Sequence, residues 1–144
     1  MPTTIIPRLI VKDAPRALAW YVENLGAREL ARHAMKDGTI VHAELGIDDA
    51  RLYLVEEQPR WHSHAPASLG GTPVLIALRV DDVDGLAARM TGAGAKVIFP
   101  IADQFYGERG GRLEDPFGHV WMISKVIEEL TPEEMQRRMD AYEG

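Results

Sequence analysis

The residues best placed to contact a ligand lie in one glycine-bounded reversal of the chain, Gln104 to Leu113. An aromatic ring in such a loop is free to lean over a cavity, and Tyr106 is the ring that we expect there. Arg109 follows three residues later, and an arginine that faces a concave site favours an anionic or carbonyl-bearing ligand. The alternative is that Asp103 or Glu108 pairs with Arg109 and keeps the loop closed.

Histidine and carboxylate side chains recur at a spacing of two. His42 and Glu44 lie on a predicted strand and therefore share one face, where they could form an acid–base pair, meet a partner in a dimer or lie in solvent. A metal site at His62 and His64 would need a third ligand. Trp61 lies in the same polar loop and either contacts a ligand at a pocket mouth or anchors an exposed loop. Whether the two pairs together form a metal site is left open.

Composition excludes several classes of protein. The 144 residues suffice for one domain, and the formal net charge of −6 comes without a basic stripe that would bind nucleic acid. No apolar run approaches about 18 residues and no basic-then-apolar leader is seen, so we expect neither a membrane span nor a signal peptide. The absence of cysteine excludes a disulfide framework and a thiolate metal site. A cytoplasmic location is the expectation that follows.

The first half of the chain predicts a strand, a helix and three further strands. Asp13 is a plausible N-cap, the apolar residues after it recur at helical spacing, and Gly26 ends the pattern. Pro7 in the first strand indicates an edge or a bulge. The predicted elements are the strand Thr3–Lys12, the helix Ala14–Leu25 and the strands Arg28–Met35, Thr39–Leu45 and Arg51–Glu56.

A polar loop, Gln58 to Thr72, separates this pattern from a second one. Asp115-Pro116-Phe117-Gly118 has the residues of a type I turn, and the apolar run after it is typical of a buried strand. Thr131 and Glu134 have capping-box spacing, with a proline at the first helical position. The predicted elements are the strands Pro73–Val80, Lys96–Pro100 and His119–Ser124, a helix from Asp82 to about Gly92, and a C-terminal helix to about Tyr142.

The two halves repeat each other at a nearly constant offset. Val11-Lys12-Asp13 corresponds to Val80-Asp81-Asp82, and Gly26-Ala27-Arg28 corresponds to Gly94-Ala95-Lys96 at an offset shorter by one. Leu52–Val55 corresponds to Val120–Ile123 at that same shorter offset. An offset that holds so closely across three elements predicts two βαβββ modules, residues 1–57 and 73–125. A linker at 58–72 would join them, and a helix within 126–144 would complete one integrated domain.

Several local motifs accompany this repeat. They are Ile10–Asp13, Trp20-Tyr21, Ser68–Thr72, Val80–Asp84, Asp115–Gly118, His42–Leu45, Asp103–Gly107 and Thr131–Met135. Together with the paired modules they resemble the vicinal oxygen chelate superfamily, which includes glyoxalase I and the bleomycin resistance proteins, and the last three motifs are closest to its PhnB-like branch. The resemblance covers almost the whole chain. It implies an α+β fold in which two tandem βαβββ modules form a cupped, incompletely closed eight-stranded mixed sheet around a pocket, with a C-terminal helix added.

Metal-using members of that superfamily place a His on the first strand and a Glu on the last strand of each module. Carried onto this sequence, the four positions are all apolar: Ile6, Leu54, Leu75 and Met122. These side chains offer no donor for a hard divalent ion, and Tyr53 is the single oxygen donor beside them. The resemblance therefore implies that no metal and no other cofactor is bound and that the four positions line the pocket.

Alternation along the strands then turns Arg8 and Arg79 toward the same pocket, unless both reach solvent near the strand ends. We predict a metal-independent small-molecule binding protein of the glyoxalase/bleomycin-resistance type that forms a homodimer. One alternative is a superfamily enzyme of the lyase, isomerase or dioxygenase type, acting on a small carbonyl or oxyanion substrate, metal-free or with a relocated His/Glu site. Another is a structural or regulatory module without a small ligand. The candidate ligand contacts are Tyr106, Arg109, Arg8, Arg79, Trp61 and Tyr53.

Overall fold

The computed structural model describes residues 1–143, which form two compact units. The first unit comprises Met1–Val74 and Pro116–His119, and the second comprises Leu75–Asp115 and the chain from Val120 onward. Each unit contains one four-stranded mixed sheet with a helix after its first strand, so the predicted α+β architecture of two βαβββ modules and a C-terminal helix is confirmed.

The first unit is built on a sheet with the strand order β1-β4-β3-β2. Strand β1 runs parallel to β4, whereas β4, β3 and β2 pair in antiparallel fashion. A parallel pair needs a long crossover connection, and helix α1 lies within it. The elements are β1 Arg8–Val11, α1 Ala14–Leu25, β2 Arg28–Ala34, β3 Ile40–Ile47 and β4 Ala50–Glu56.

Helix α1 has the bounds that its residues predict. The Asp13 side chain accepts a hydrogen bond from the backbone N–H of Arg16 at 3.3 Å, and Gly26 ends the helix with a φ of 67°, which glycine adopts without strain. Its apolar stripe is buried, and Tyr21 lies 5.9 Å from the ring of Phe117 in the turn segment of the same unit. Burial of this apolar stripe therefore stabilises α1 within the first unit.

The segment predicted to be the linker has local structure of its own. It contains a single 3-10 turn, Pro59–Trp61, and a short helix α2, Pro66–Leu69. The Glu57 carboxylate accepts hydrogen bonds from the backbone N–H of Ala65 at 2.9 Å and from the Ser68 hydroxyl at 3.0 Å. These bonds close the loop onto the end of β4.

The second unit repeats the topology with the strand order β5-β8-β7-β6, and β5 runs parallel to β8. Asp82 caps helix α3 by accepting a hydrogen bond from the N–H of Gly85 at 2.9 Å. Thr131 caps the C-terminal helix in the predicted way, accepting from the N–H of Glu134 at 3.1 Å. The elements are β5 Leu75–Arg79, α3 Val83–Gly92, β6 Lys96–Asp103, β7 Glu108–Glu114, β8 Val120–Val126 and α4 Pro132–Ala141.

Two predicted bounds are corrected. The first strand was expected from Thr3, but β1 begins at Arg8, directly after Pro7, which has no N–H to donate to a ladder. The reversal at Gln104–Leu113 is mostly strand β7, and its turn is confined to residues 104–107. Within the described residues, no helix combines the length and the apolar character that crossing a membrane requires.

Candidate functional site

The second sheet has two chemically different faces. Trp121 and Ile123 of β8 are buried on the side of helix α3, where the Trp121 Nε1–H donates to the carboxylate of Asp115 at 2.9 Å. Met122 and Ser124 alternate with them and point to the other side. We call the side of each sheet opposite the helix that follows its first strand the open face.

A cavity of about 530 Å³ lies on the open face of the second sheet. Such a volume is in the range of small-molecule sites, which is roughly 300–1,000 Å³. Its walls combine aromatic and aliphatic surface with a few polar groups, and all of them belong to the second unit. The lining residues are Ala77, Arg79, Phe99, Pro100, Ala102, Gln104, Tyr106, Glu108, Gly110, Gly111, Arg112, Met122, Ile123, Ser124 and Tyr142, of which Ile123 contributes its backbone.

Arg112 supplies an unneutralised positive charge in the cavity. Its guanidinium lies 5.1 Å from the centre of the Phe99 ring, and the residue is half-buried. Among residues 1–143, no carboxylate lies within ion-pair distance of it. Sequence reasoning missed Arg112, because its position opposite Met122 is a cross-strand register that only the structure shows.

Arg79 is the second arginine of the cavity, and its charge is balanced. Its Nε lies 3.4 Å from a carboxylate oxygen of Glu108, and the Ser124 hydroxyl donates to that same oxygen at 3.2 Å. The Arg79 side chain remains 72% exposed. The structure therefore brings Arg79 to the cavity as predicted from alternation, but as half of an ion pair.

Tyr106 also lies at the cavity wall, as its place in the turn predicted. Burial raises the pKa of its phenol above the ordinary value, and the nearby Glu108 carboxylate adds to this effect. The hydroxyl therefore stays protonated at neutral pH and can donate a hydrogen bond. Its ring meets that of Phe105 edge-on at 5.2 Å.

Arg109 does not line the cavity, and the expectation that it contacts a ligand there is corrected. Its Nε and Nη2 donate to the two carboxylate oxygens of Asp84 at 2.9 and 2.8 Å, and its Nη1 donates to Asp103 at 3.0 Å. These bonds raise the pKa of Arg109 and lower that of Asp84. Because Arg109 and Arg112 lie three residues apart on one strand, they face opposite sides of the sheet.

Leu54 does not line a pocket on the open face either. It is fully buried, and Glu56, two residues later on the same face, accepts a hydrogen bond from the first residue of helix α1, Ala14, at 3.0 Å. Leu54 therefore lies on the helix side of its sheet. The predicted correspondence between the last strands was wrong by one residue, and the counterpart of Met122 is Tyr53. A slip of one residue reverses the face of every side chain.

The remaining candidates are dispersed. Leu75 begins β5 and is 38% exposed, and Ile6 lies just before β1 and is half-buried. Arg8 donates to the backbone carbonyl of Val41 at 3.0 Å. Trp61 is 51% exposed and stacks under the Arg60 guanidinium at 4.8 Å. Since Ile6, Arg8 and Trp61 belong to the first unit, the cavity of the second unit takes only Arg79, Tyr106 and Met122 from the predicted set.

The open face of the first sheet carries imidazole and phenol groups. The His42 ring meets the Tyr53 ring edge-on at 4.7 Å and stacks with the cross-strand His33 at 6.2 Å. His42 Nε2 lies 3.6 Å from a carboxylate oxygen of Glu44. In the described part of the chain, no three His, Asp or Glu side chains come together as a metal-ligand set.

The positions at which a metal would be expected do not fit one. On the open face of the second sheet, the pair at the centre of β5 and β8 is Ala77 and Met122, followed by Arg79 and Ser124. An aliphatic carbon, a thioether and a guanidinium do not coordinate a hard divalent cation. In the first sheet the corresponding pair is Arg8 and Tyr53, a guanidinium and a phenol.

Comparison with known proteins agrees with this architecture. The chain belongs to the Glyoxalase/Bleomycin resistance protein/Dioxygenase superfamily, whose family model matches residues 4–123. It is 40% identical over 138 residues to the Uncharacterized protein Rv0887c of Mycobacterium tuberculosis, an alignment that covers 94% of this chain and 81% of the relative.

Solved structures show the same fold. TioX from Micromonospora sp. ML1 is 29% identical, with a TM-score of 0.69 over 87% of this chain and 99% of that one. The fosfomycin resistance protein FosX from Listeria monocytogenes, solved with Mn(II) and a sulfate ion, is 19% identical, with a TM-score of 0.67 over 96% and 97% of the two chains. The second likeness is one of fold alone.

Proposed function

We propose that this protein binds a small organic anion, without a metal, in the cavity of its second unit. The observation that carries the proposal is Arg112, a half-buried guanidinium with no carboxylate partner among the described residues, set against the Phe99 ring inside a cavity of ligand size. A cation in such a place is stabilised when an anion binds beside it.

The other walls of the cavity indicate what accompanies the negative charge. Tyr106 can donate a hydrogen bond to a carbonyl or carboxylate oxygen, and Arg79 is exposed enough to turn from Glu108 toward a ligand. Phe99, Met122 and Ala77 provide apolar surface. The expected ligand therefore has a carboxylate, phosphonate or similar group on a small apolar body.

A thermal-shift screen tests the proposal. Small carboxylates, phosphonates and sulfonates with aliphatic or aromatic bodies are added to the protein after exhaustive dialysis against EDTA. A ligand that binds the folded state should raise Tm in a concentration-dependent way, and at about 100 times its Kd it stabilises by roughly 2.7 kcal/mol. If no acid in the screen raises Tm, the proposed function is wrong.

Paired arginine variants locate the site. Arg112→Met should weaken binding of the best acid at least about tenfold, because a charge-assisted hydrogen bond contributes roughly 1.5–3 kcal/mol. Arg137→Met is the matched control, since Arg137 is exposed on α4 and pairs with Glu134 outside the cavity. Equal affinities of the two variants would place the site elsewhere, and turnover of the bound acid would favour an enzyme over a binding protein.

Metal independence is part of the same proposal and has its own test. The affinity measured after EDTA dialysis should not change when Mn²⁺, Zn²⁺ or Ni²⁺ is restored. A rise in affinity with stoichiometric metal uptake would contradict it.

The motifs His42–Leu45 and Asp103–Gly107 support placement in the PhnB-like branch. We also propose that the protein is cytoplasmic and forms a homodimer. Sedimentation equilibrium tests the homodimer, and a measured mass equal to that of the monomer would contradict it.

A further inference from the structure

The C-terminal helix reaches the cavity through one residue. Tyr142, which follows the last residue of α4, lines the cavity on its own account and stacks on Phe105 with ring centres 4.4 Å apart and ring planes at 21°. Phe105 in turn meets Tyr106 edge-on. Three aromatic rings in a row, Tyr106, Phe105 and Tyr142, therefore lie at one side of the cavity, and the outer two line it.

One arginine on α4 joins the helix to the turn that carries those rings. Arg138 donates to both carboxylate oxygens of Glu128 at 2.8 Å and to the backbone carbonyl of Phe105 at 3.0 Å. It also donates to Glu134 at 3.2 Å. We refer to Arg138 with Glu128, Glu134 and the Phe105 carbonyl as the C-terminal clasp.

The chain leading into α4 is fixed to the same turn. The carbonyl of Gly107 accepts hydrogen bonds from the N–H groups of Ile127 and Glu128 at 3.0 and 3.1 Å. Gly107 has a φ of 86°, and a Cβ there would lie 2.5 Å from the Glu128 carbonyl oxygen, so the close approach requires glycine. Hydrogen bonds therefore join the turn, the lead-in to α4 and the clasp.

Helix α4 itself is weakly held by packing. None of its residues, Pro132–Ala141, is buried, and a helix of ten residues is marginally stable in water without tertiary contacts. Its position depends on the clasp and on the stack of Tyr142 with Phe105. Elements of this kind open locally at low free-energy cost, so a ligand that contacts them can shift their population.

We propose, on the basis of the proposed anion site, that α4 is part of that site: Tyr142 is a specificity-determining residue that favours ligands with an aromatic ring, and Arg138 is the positioning residue that holds Tyr142 there. Arg112 binds the acidic group, and the ring of the ligand packs against the Tyr142 side of the cavity. An aliphatic acid gains the charge interaction without the ring contact.

Two acids of equal charge test this inference. Binding of 2-naphthoate and of hexanoate is measured by calorimetry on the wild type, Tyr142→Ala, Tyr142→Phe and Met139→Ala. Tyr142→Ala should weaken naphthoate binding about twofold to tenfold, the range of one aromatic contact, and should weaken hexanoate binding by a smaller factor. Tyr142→Phe should restore the preference. Met139→Ala is the control, because Met139 lies on α4 outside the cavity.

Hydrogen exchange tests the role of Arg138. Naphthoate should slow amide exchange across residues 131–142 in the wild type, and Arg138→Gln should abolish that protection while Arg137→Gln preserves it. If naphthoate binds in an Arg112-dependent way but Tyr142→Ala binds it equally well, this inference is overturned and the anion site stands. If naphthoate does not bind the wild type, the inference is overturned, and aromatic acids are excluded as the ligand class of the proposed site.

Discussion

The open faces of the two sheets share one topology and differ in charge and in depth. In the second unit two arginines, a carboxylate and several aromatic rings surround a cavity of about 530 Å³. In the first unit the equivalent face carries His42, Glu44 and Tyr53 in mutual contact, with Arg8 bonded to a backbone carbonyl. The same fold therefore supports a cationic recess in one unit and a self-satisfied polar cluster in the other.

The cause of the difference is the side-chain size and charge on one strand of each sheet. Strand β7 presents Gly110 toward the cavity, and a Cβ there would lie 2.6 Å from the Ile123 carbonyl oxygen. That glycine leaves room beside Arg112. At the matching place between β3 and β4, the imidazole of His42 and the ring of Tyr53 fill the surface. A duplicated fold can thus form a cavity in one copy and fill the equivalent surface with side chains in the other.

The largest expected change in stability comes from a residue on the helix side of the second sheet. This side should form part of the hydrophobic core, as the helix side of the first sheet does. Trp121 is buried and donates to Asp115, so Trp121→Ala should lower the free energy of unfolding by about 3–5 kcal/mol, measured by urea denaturation. Met122→Ala, one residue away on the cavity face, is the control and should cost less than about 1 kcal/mol. Similar losses in the two variants would contradict the assignment of faces.

Arg109 and Arg112 provide the next contrast, because they lie on one strand and face opposite sides. Arg109→Met should lower Tm by leaving Asp84 and Asp103 without their donor, and should leave binding of an acid unchanged. Arg112→Met should do the reverse, weakening binding at least about tenfold at nearly constant Tm. Loss of binding in Arg109→Met at a temperature where it is fully folded would exclude this separation of roles.

Two carboxyl groups, Asp84 of the second unit and Glu56 of the first, should change the stability with opposite sign as the pH changes. The Arg109 hydrogen bonds lower the pKa of Asp84, so its stabilising contribution is complete above about pH 3.9 and is lost as the pH falls through the lower, folded-state pKa. Burial raises the pKa of Glu56, so its ionisation costs stability as the pH rises from about 4.3 through the folded-state pKa.

Unfolding free energies measured between pH 3 and pH 7 check both signs. Asp84→Asn should be less stable than the wild type at pH 7, with a gap that narrows under acid conditions. Glu56→Gln retains an acceptor for the Ala14 N–H and should equal or exceed the stability of the wild type at pH 7, with the gain lost near pH 4. Parallel pH profiles of the two variants would contradict the prediction.

The smallest effect is expected in the polar cluster of the first sheet. His42→Ala removes cross-strand contacts with His33 and Tyr53, which should cost about 0.2–1 kcal/mol in urea denaturation. The affinity for an acid should stay within error of the wild type, since the proposed anion site lies in the second unit. A tenfold loss of affinity in His42→Ala would show that the first unit contributes to binding.

The architecture and the N-caps of the long helices could be predicted from the sequence alone. Helix α1 was predicted with its observed bounds, because its N-cap, apolar stripe and terminal glycine are all local signals. The two βαβββ modules were predicted from the internal repeat. The place of Tyr106 beside a cavity was predicted from its position in a glycine-bounded turn. Each cap and turn depends on residues a few positions apart.

Which side of each sheet a residue faces could be assigned only from the three-dimensional fold. Alternation fixes that side relative to a neighbour, but an error of one residue in register reverses it, which is why Leu54 was placed on the wrong face and Tyr53 is its correct counterpart. Arg109 and Arg112 are the same residue type, so the sequence does not show which of them faces the cavity. In the structure Arg109 pairs with Asp84, 25 residues away in sequence, and Arg112 faces the cavity. The role proposed for Tyr142 likewise rests on hydrogen bonds from Arg138 to Glu128 and to the Phe105 carbonyl, which no local sequence pattern predicts.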